Sequence, residues 1–337
     1  MPLKTPKPIM RLGNVLARSL LHGVGGLAGV RCWNRRGFRI LMYHNFPSSQ
    51  PGQQEALAKQ CRHITRHYSV VSLTDIAQSL RGGTPLPPNA LAVTIDDGYR
   101  DFLNGQPVFK AFNIPVTVFL VTGFLDHKLW MWWDQLAYLL DKSRRRSFQF
   151  SFSSDKAPAS FMLETETQRE TTLTAVKKSV KLSSNDECRD FFGKLPQLLE
   201  VDLPPQPPEH AAHLQWDDVR TLAGEGVNFG AHTVTHPILS RITDPAELYR
   251  EIEESKRRIE EELRRPILHF SYPFGFLRDF NSETIRVLDR CQFQTAVTTE
   301  KGINGRHAHP FRLKRFGVEP TMSEFYFKEF LAGLHAG

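Results

Sequence analysis

The sequence predicts an α/β fold of parallel strands, an α/β barrel interrupted by one insertion. Three observations lead there. From residue 38 onward, short apolar runs alternate with helical stretches, the pattern of strands joined by crossover helices. Six to eight such runs can be counted, enough for a barrel. Acidic and imidazole side chains recur where these runs end, which is where parallel folds bind ligands.

Taken in order, Phe38–Tyr43 is a compact apolar run ending at His44 and reads as a buried strand. Helical spacing follows over 54–68, then a short helix over 73–80 with Ser72 or Thr74 near its start. Gly82-Gly83 and the proline-rich stretch Pro85–Pro88 mark a loop. A second buried strand, Ala90–Ile95, stops at Asp96-Asp97-Gly98. A helix over 100–112, with Pro107 as a kink, leads to a third strand over 114–121.

Residues 124–214 break the alternation. They hold Trp130, Trp132 and Trp133, the basic run Arg144–Arg146, a strand over 147–153 with Phe148, Phe150 and Phe152 on one face, and polar helical stretches. The stiff linker Pro204–Pro208 closes the segment. We read it as an insertion. The tryptophans either stack on sugar rings or pack the insertion onto the barrel, and Arg144–Arg146 reads as a solvated run.

The alternation resumes with a helix over 216–226, its Trp216 packing on the barrel, and a strand over 227–231 that stops at His232. A long helix over 244–263 has Asp244 placed as N-cap, Pro245 at N1 and Glu247 at N3, with its charge run as a solvated face. Strands over 267–272 and 293–297, and helices over 281–290 and 323–334, complete the chain. The domain organisation is thus a basic N-terminal segment at 1–37, a barrel over 38–123 and 215–337, and the insertion between.

Composition excludes several classes. The 337 residues are 40% hydrophobic and 23% charged, which rules out disorder, collagen and coiled coil. Four cysteines without a CxxC pair rule out a disulfide scaffold and argue against a thiolate zinc site. The net charge of +7 resides at one end: residues 1–54 carry eight basic side chains and no acidic one. A basic pI of that origin does not indicate nucleic acid. The uncharged stretch over 19–30 is too short to span a membrane, and no clear signal peptide precedes it. The expected location is therefore cytoplasmic or peripheral. Residues 9–21 either lie on an anionic membrane surface or form a loosely ordered tail.

Chemistry concentrates at three strand ends. Asp96 and Asp97 reach one site only if the strand ends there, and Gly98 permits the sharp turn; alone, Asp-Gly is also an ordinary turn pair. His232 and His236, four apart before Pro237, can grip one metal from a single turn, although a lone histidine pair is more often packing. Two histidines and one carboxylate form an open three-ligand set that serves hydrolytic zinc or oxygenase iron. The second carboxylate favours hydrolysis, which needs a base beside activated water. The turn Tyr272-Pro273-Phe274-Gly275 can present a backbone N–H to an oxyanion. As a fourth feature, His44 at the end of the first strand can act as a general acid or be structural.

Together these residues resemble the polysaccharide deacetylase family, also called the NodB-homology family or carbohydrate esterase family four. Thr94-Ile95-Asp96-Asp97-Gly98 resembles its TFDDG motif, and His232-Thr233-Val234-Thr235-His236 its H-[ST]-x-x-H motif. Ser271-Tyr272-Pro273-Phe274-Gly275 resembles the third motif of one branch, which also begins with a strand reading LMYH, as Leu41–His44 does here. The resemblance covers roughly residues 38–123 and 214–320 and implies a distorted (β/α)7 barrel with an inserted α/β segment.

It further implies that Asp97, His232 and His236 bind a divalent metal, zinc first, with Co, Ni, Fe or Mn as other candidates. Asp96 would be the base, His44 the acid and the Tyr272 N–H an oxyanion donor. The implied reaction removes acetyl groups from an N-acetylhexosamine polysaccharide or lipid-linked glycan. The alternatives are a catalytically silent glycan-binding barrel and an iron oxygenase. Two departures stand out: the arginine of the commoner third motif is absent, and Leu313-Lys314-Arg315 occupies the place of a late Leu-x-His motif.

Overall fold

A computed structural model describes residues 26–47, 52–126, 130–152 and 157–334. The membrane-surface segment expected over 9–21 lies outside them. Among the described residues no helix is long and apolar enough to cross a membrane.

The elements run in the order α1 (Gly26–Trp33), β1 (Arg39–Tyr43), α2 (Gln53–His67), β2 (Ser69–Val70), α3 (Leu73–Leu80), β3 (Ala90–Ile95), α4 (Phe102–Ala111), β4 (Val116–Leu120) and α5 (Thr122–Leu125). Next come α6 (Trp132–Lys142), β5 (Ser147–Phe150), β6 (Ala159–Met162), α7 (Glu166–Val180) and α8 (Asn185–Leu199). The chain ends with α9 (Trp216–Gly224), β7 (Asn228–Ala231), α10 (Pro245–Leu263), β8 (His269–Ser271), α11 (Ser282–Arg290), β9 (Thr295–Val297), β10 (Phe316–Gly317) and α12 (Glu324–Ala332).

Seven strands form one parallel sheet in the order β10-β1-β3-β4-β7-β8-β9, with β2 beside β3. The sheet curls because one stretch of chain serves both ends. Leu313 bridges Val297 of β9, and three residues later Phe316 and Gly317 pair with β1. The Leu313 N–H donates to the Ala296 carbonyl at 3.1 Å, and the Val318 N–H donates to the Met42 carbonyl at 2.9 Å. A closing strand split between two neighbours is the distortion of this barrel. Strands β1, β3 and β4 are buried along their whole length, as continuous apolar runs in a covered parallel sheet should be.

Several helix starts follow local chemistry. Ser72 caps α3 in a reciprocal box with Asp75, Asn281 caps α11, and Asp244 accepts the Ala246 N–H ahead of Pro245. The strand at 147–153 is shorter than expected, ending at Phe150. Helix α1 and strands β2, β6 and β10 carry too little periodicity to be read from sequence; the three strands are two to four residues long.

The segment read as an insertion has its own core. Leu136, Leu139, Phe148, Phe161, Val176, Phe191, Leu195 and Leu199 pack together, with the β5–β6 hairpin against α6, α7 and α8. Trp216 packs on the barrel, its ring beneath the Arg258 guanidinium at 4.4 Å and its indole N–H donating to Asp126 at 2.8 Å.

Candidate active site

The carboxyl ends of β1, β3, β7 and β8 meet at a cavity of about 300 Å³, whose walls include His44, Asp96, Asp97, His232, His236 and Tyr272. Every site residue singled out in the sequence is therefore at one place. Neighbouring residues of a strand point to opposite faces, so Asp96 and Asp97 could not share a site in extended backbone. The chain solves this with a left-handed turn: φ is 72° at both Asp97 and Gly98. Thr233, His236 and Phe274 also have positive φ, at 69°, 59° and 60°. Such backbone costs on the order of 1–3 kcal/mol per residue and persists where the surroundings impose it.

The surroundings of the histidine loop are specific. Glu251, buried on α10, accepts the Val234 and Thr235 N–H groups at 2.9 Å each and the Thr235 hydroxyl at 2.6 Å. The Thr233 hydroxyl oxygen accepts the His236 N–H at 2.9 Å. The charge run of α10 is thus not wholly a solvated face. Glu251 faces inward as a loop clamp, and burial pushes its carboxyl up despite these bonds. Its place on the buried side with Leu248, Ile252, Ser255 and Ile259 was the available signal.

Asp97, His232 and His236 offer ligand atoms that all lie within 4.8 Å of one another. The Asp97 Oδ1 stands 3.4 Å from His232 Nε2 and 3.7 Å from His236 Nε2. His232 Nδ1 is 2.7 Å from the Ser271 carbonyl oxygen. A carbonyl only accepts, so Nδ1 carries the hydrogen and Nε2 presents its lone pair to the cluster. His236 Nδ1 is buried with no hydrogen-bond partner. Burial, with the charge of His232, pushes His236 down to about 3, so its imidazole is neutral at neutral pH. Burial works against ionised Asp97, but the histidines around it outweigh it and hold its carboxyl below the usual range. Two imidazoles and a carboxylate, buried with their ligand atoms within 4.8 Å of one another, fit a divalent cation.

Asp96 is held differently. The Arg315 guanidinium is fully buried and meets it side by side, Nη1 to Oδ1 at 2.7 Å and Nη2 to Oδ2 at 2.6 Å. Arg315 also donates to the Thr94 hydroxyl at 3.1 Å, the Ser271 hydroxyl at 3.0 Å and the Thr298 carbonyl at 2.8 Å, so its five donors are all engaged. The Ser271 hydroxyl donates to Asp96 at 3.1 Å. Burial alone would raise the Asp96 carboxyl; the charge and bonds of Arg315 override it and hold it well below the usual carboxylate range. This arginine comes from the barrel-closing segment. Leu313-Lys314-Arg315 carried no recognisable spacing, so sequence reasoning missed it.

The role expected of the Tyr272 N–H needs correcting. That group donates to the Val297 carbonyl at 3.2 Å as part of the β8–β9 ladder, so it is committed to the sheet and not to an oxyanion. The Tyr272 ring stacks on Phe280 and its hydroxyl donates to the Phe311 carbonyl at 3.0 Å, which makes the side chain a packing element of the cavity wall.

The insertion supplies the opposite wall. Trp132 and Trp133 line the cavity, whereas Trp130 is buried against Tyr138. The Trp132 ring lies parallel to Phe274, and Trp133 packs edge-on against His236 at 5.3 Å. The Trp133 indole N–H donates to the Tyr99 hydroxyl at 2.7 Å, and that hydroxyl donates to Asp134 at 2.6 Å. Burial, together with the field of Asp97 and despite the Tyr99 bond, pushes Asp134 up to about 6.

Comparison with known proteins agrees with this geometry. The chain is 28% identical over 125 residues to YxkH of Bacillus subtilis (strain 168), whose name places it with polysaccharide deacetylases; the match covers 37% of this chain and 43% of that protein. It is 31% identical over 102 residues to the poly-β-1,6-N-acetyl-D-glucosamine N-deacetylase of Escherichia coli (strain K12), covering 28% of this chain and 15% of that one. The chain thus spans less than half the length of either relative. The fold is shared with the Streptococcus pyogenes deacetylase PplD, solved in complex with acetate, at a TM-score of 0.57 and 18% identity over 88% of this chain and 99% of that one. Residues 83–296 match the family model described as polysaccharide deacetylase, and the chain belongs to that family.

Proposed function

We propose that the protein is a metal-dependent N-deacetylase that releases acetate from an N-acetylhexosamine-containing polysaccharide or lipid-linked glycan. The observation that carries the reading is the buried Asp97, His232 and His236 cluster beside a second carboxylate, Asp96, held ionised by Arg315. The name of the Escherichia coli relative supports an N-acetylglucosamine glycan as the substrate class.

Asp97, His232 and His236 would hold the metal, which when bound supplies Lewis-acid activation of water and of the amide carbonyl. Asp96, ionised and fixed at both oxygens, takes the proton of the attacking water. The Arg315 fork prevents the carboxylate from turning toward the histidines. His44, at the end of β1 on the same cavity, gives its proton to the leaving amine. The C–N bond breaks, acetate leaves and the sugar keeps a free amine.

The test is acetate release from a panel of N-acetylated oligosaccharides, with Zn, Co, Ni, Fe(II) and Mn supplied in turn and bound metal measured. Asp96→Asn should abolish turnover while metal content stays near wild type. Near-normal acetate release by that variant would refute the base assignment. Glycan binding without acetate under every metal would mark a silent barrel, and dioxygen consumption with Fe(II) an oxygenase.

A further inference from the structure

Helix α7 of the insertion buries Thr172, Val176 and Val180 at a spacing of four. A helix turns about 100° per residue, so the next residue after each apolar anchor lies one step round the cylinder. Lys177 and Lys181 occupy those positions, and both line the cavity that holds Asp96, Asp97, His232 and His236. The helix end is tied down from the barrel side. Arg241 donates to the Lys181 and Ser183 carbonyls. Packing of α7 and the arginine clamp on its end therefore set the backbone of both lysines at the mouth of the active site, Lys177 half-buried and Lys181 exposed.

We infer that Lys177 and Lys181 bind an anionic oxyacid group of the substrate, a phosphate ester or a uronate carboxylate, next to the N-acetylated sugar. The inference rests on the deacetylase reading and narrows its substrate class. The charges at the site favour it. The carboxylate of Asp96 is neutralised by Arg315, and that of Asp97 would be neutralised by a bound cation, so the two lysines leave the cavity with a positive excess. Lys177 is half-buried, and burial lowers its affinity for a proton. An ammonium desolvated in this way gains from an anionic partner. Asp134, whose field supports Lys177, already accepts the Tyr99 hydroxyl. Lys178, exposed and also in the last turn of α7, does not line the cavity. It carries the same charge at the same helix end and is the natural control.

The experiment compares kcat/KM for acetate release from three probes: N-acetylchitotetraose, which is neutral; a hyaluronan tetrasaccharide, which carries uronates; and N-acetylglucosamine 1-phosphate. Wild type should prefer at least one anionic probe over the neutral one by about tenfold or more, and the preferred probe identifies carboxylate or phosphate as the anion source. Lys177→Gln and Lys181→Gln should each shrink that ratio, mainly through KM, and added salt should do the same. Lys178→Gln should leave the ratio as in wild type.

A wild type without anionic preference overturns the inference. So does a Lys177→Gln variant that lowers all three substrates equally, because Lys177 would then only balance Asp134. If neither these probes nor the wider panel above releases acetate under any metal, the deacetylase reading fails on its own. Calorimetric titration of the same probes into wild type and the lysine variants then decides the lysine assignment, with equal binding of neutral and anionic probes counting against it.

Discussion

Two ends of β8 hold buried imidazoles with opposite fates. At its start, His269 is buried with both ring nitrogens met inside the fold, Nδ1 by the Thr295 hydroxyl at 2.8 Å and Nε2 by the Thr74 hydroxyl at 3.0 Å. At its end, the Ser271 carbonyl takes only one nitrogen of His232 and leaves the other facing Asp97. Burial is nearly equal at the two places, so burial does not separate a structural histidine from a ligand. What separates them is whether the fold spends both nitrogens. The same contrast runs through the backbone: the site end carries Asp97, Thr233, His236 and Phe274 at positive φ, whereas β8 itself is extended.

The sharpest way to break this comparison is at Arg315. Arg315→Met would leave Asp96 buried with its charge unpaired, which costs about 3–5 kcal/mol. We expect a large drop in denaturant midpoint and at least about a 100-fold loss of acetate release, the scale of a displaced general base. Unchanged turnover in a folded variant would show that Asp96 needs no clamp.

A smaller effect is expected at the other end of the strand. His269→Gln should cost about 1–3 kcal/mol through imperfectly met threonine hydroxyls, with turnover retained. It should also change the pH profile of stability. Burial pushes His269 down from 6.5 to about 4, so the unfolded chain takes up the proton first. The contribution of neutral His269 is full above pH 6.5 and is lost as pH falls from there towards 4, at no more than about 1.4 kcal/mol per pH unit. The variant should flatten that slope in urea titrations at successive pH values. An identical slope would mean that His269 is not the group responsible.

The mildest test lies in the insertion, at a helix cap outside the site cavity. Ser184 caps α8 in a reciprocal box with Glu187. Ser184→Ala should lower the stability of α8 by about 1 kcal/mol, read as reduced hydrogen-exchange protection over 185–199 with the barrel strands unaffected. Loss of protection spreading into β7 would show that insertion and barrel unfold as one unit.

How legible the molecule was from sequence follows the same division. Strand Ala90–Ile95 and helix Leu73–Leu80 stand where their apolar periodicity and flanking signals put them, because such elements are specified by neighbours within a few residues. That His44, Asp96, Asp97, His232, His236 and Tyr272 meet at one cavity was also legible, since strand ends in parallel folds converge on one face. Glu251, Arg315 and the engaged N–H of Tyr272 were not. Glu251 looks like one acid among many on a charged helix, and only its inward rotation marks it. Arg315 follows a short closing strand with no repeat to announce it.

The sequence alone determined the alternation of strands and helices and which acids and imidazoles terminate the strands, because these depend on local pattern. Tertiary structure decided which lone pairs remain unspent, which arginine neutralises which carboxylate and which face of α7 meets the cavity. Those outcomes depend on groups brought together across as many as 219 positions of chain, as Arg315 and Asp96 are, and no short-range signal encodes such a distance.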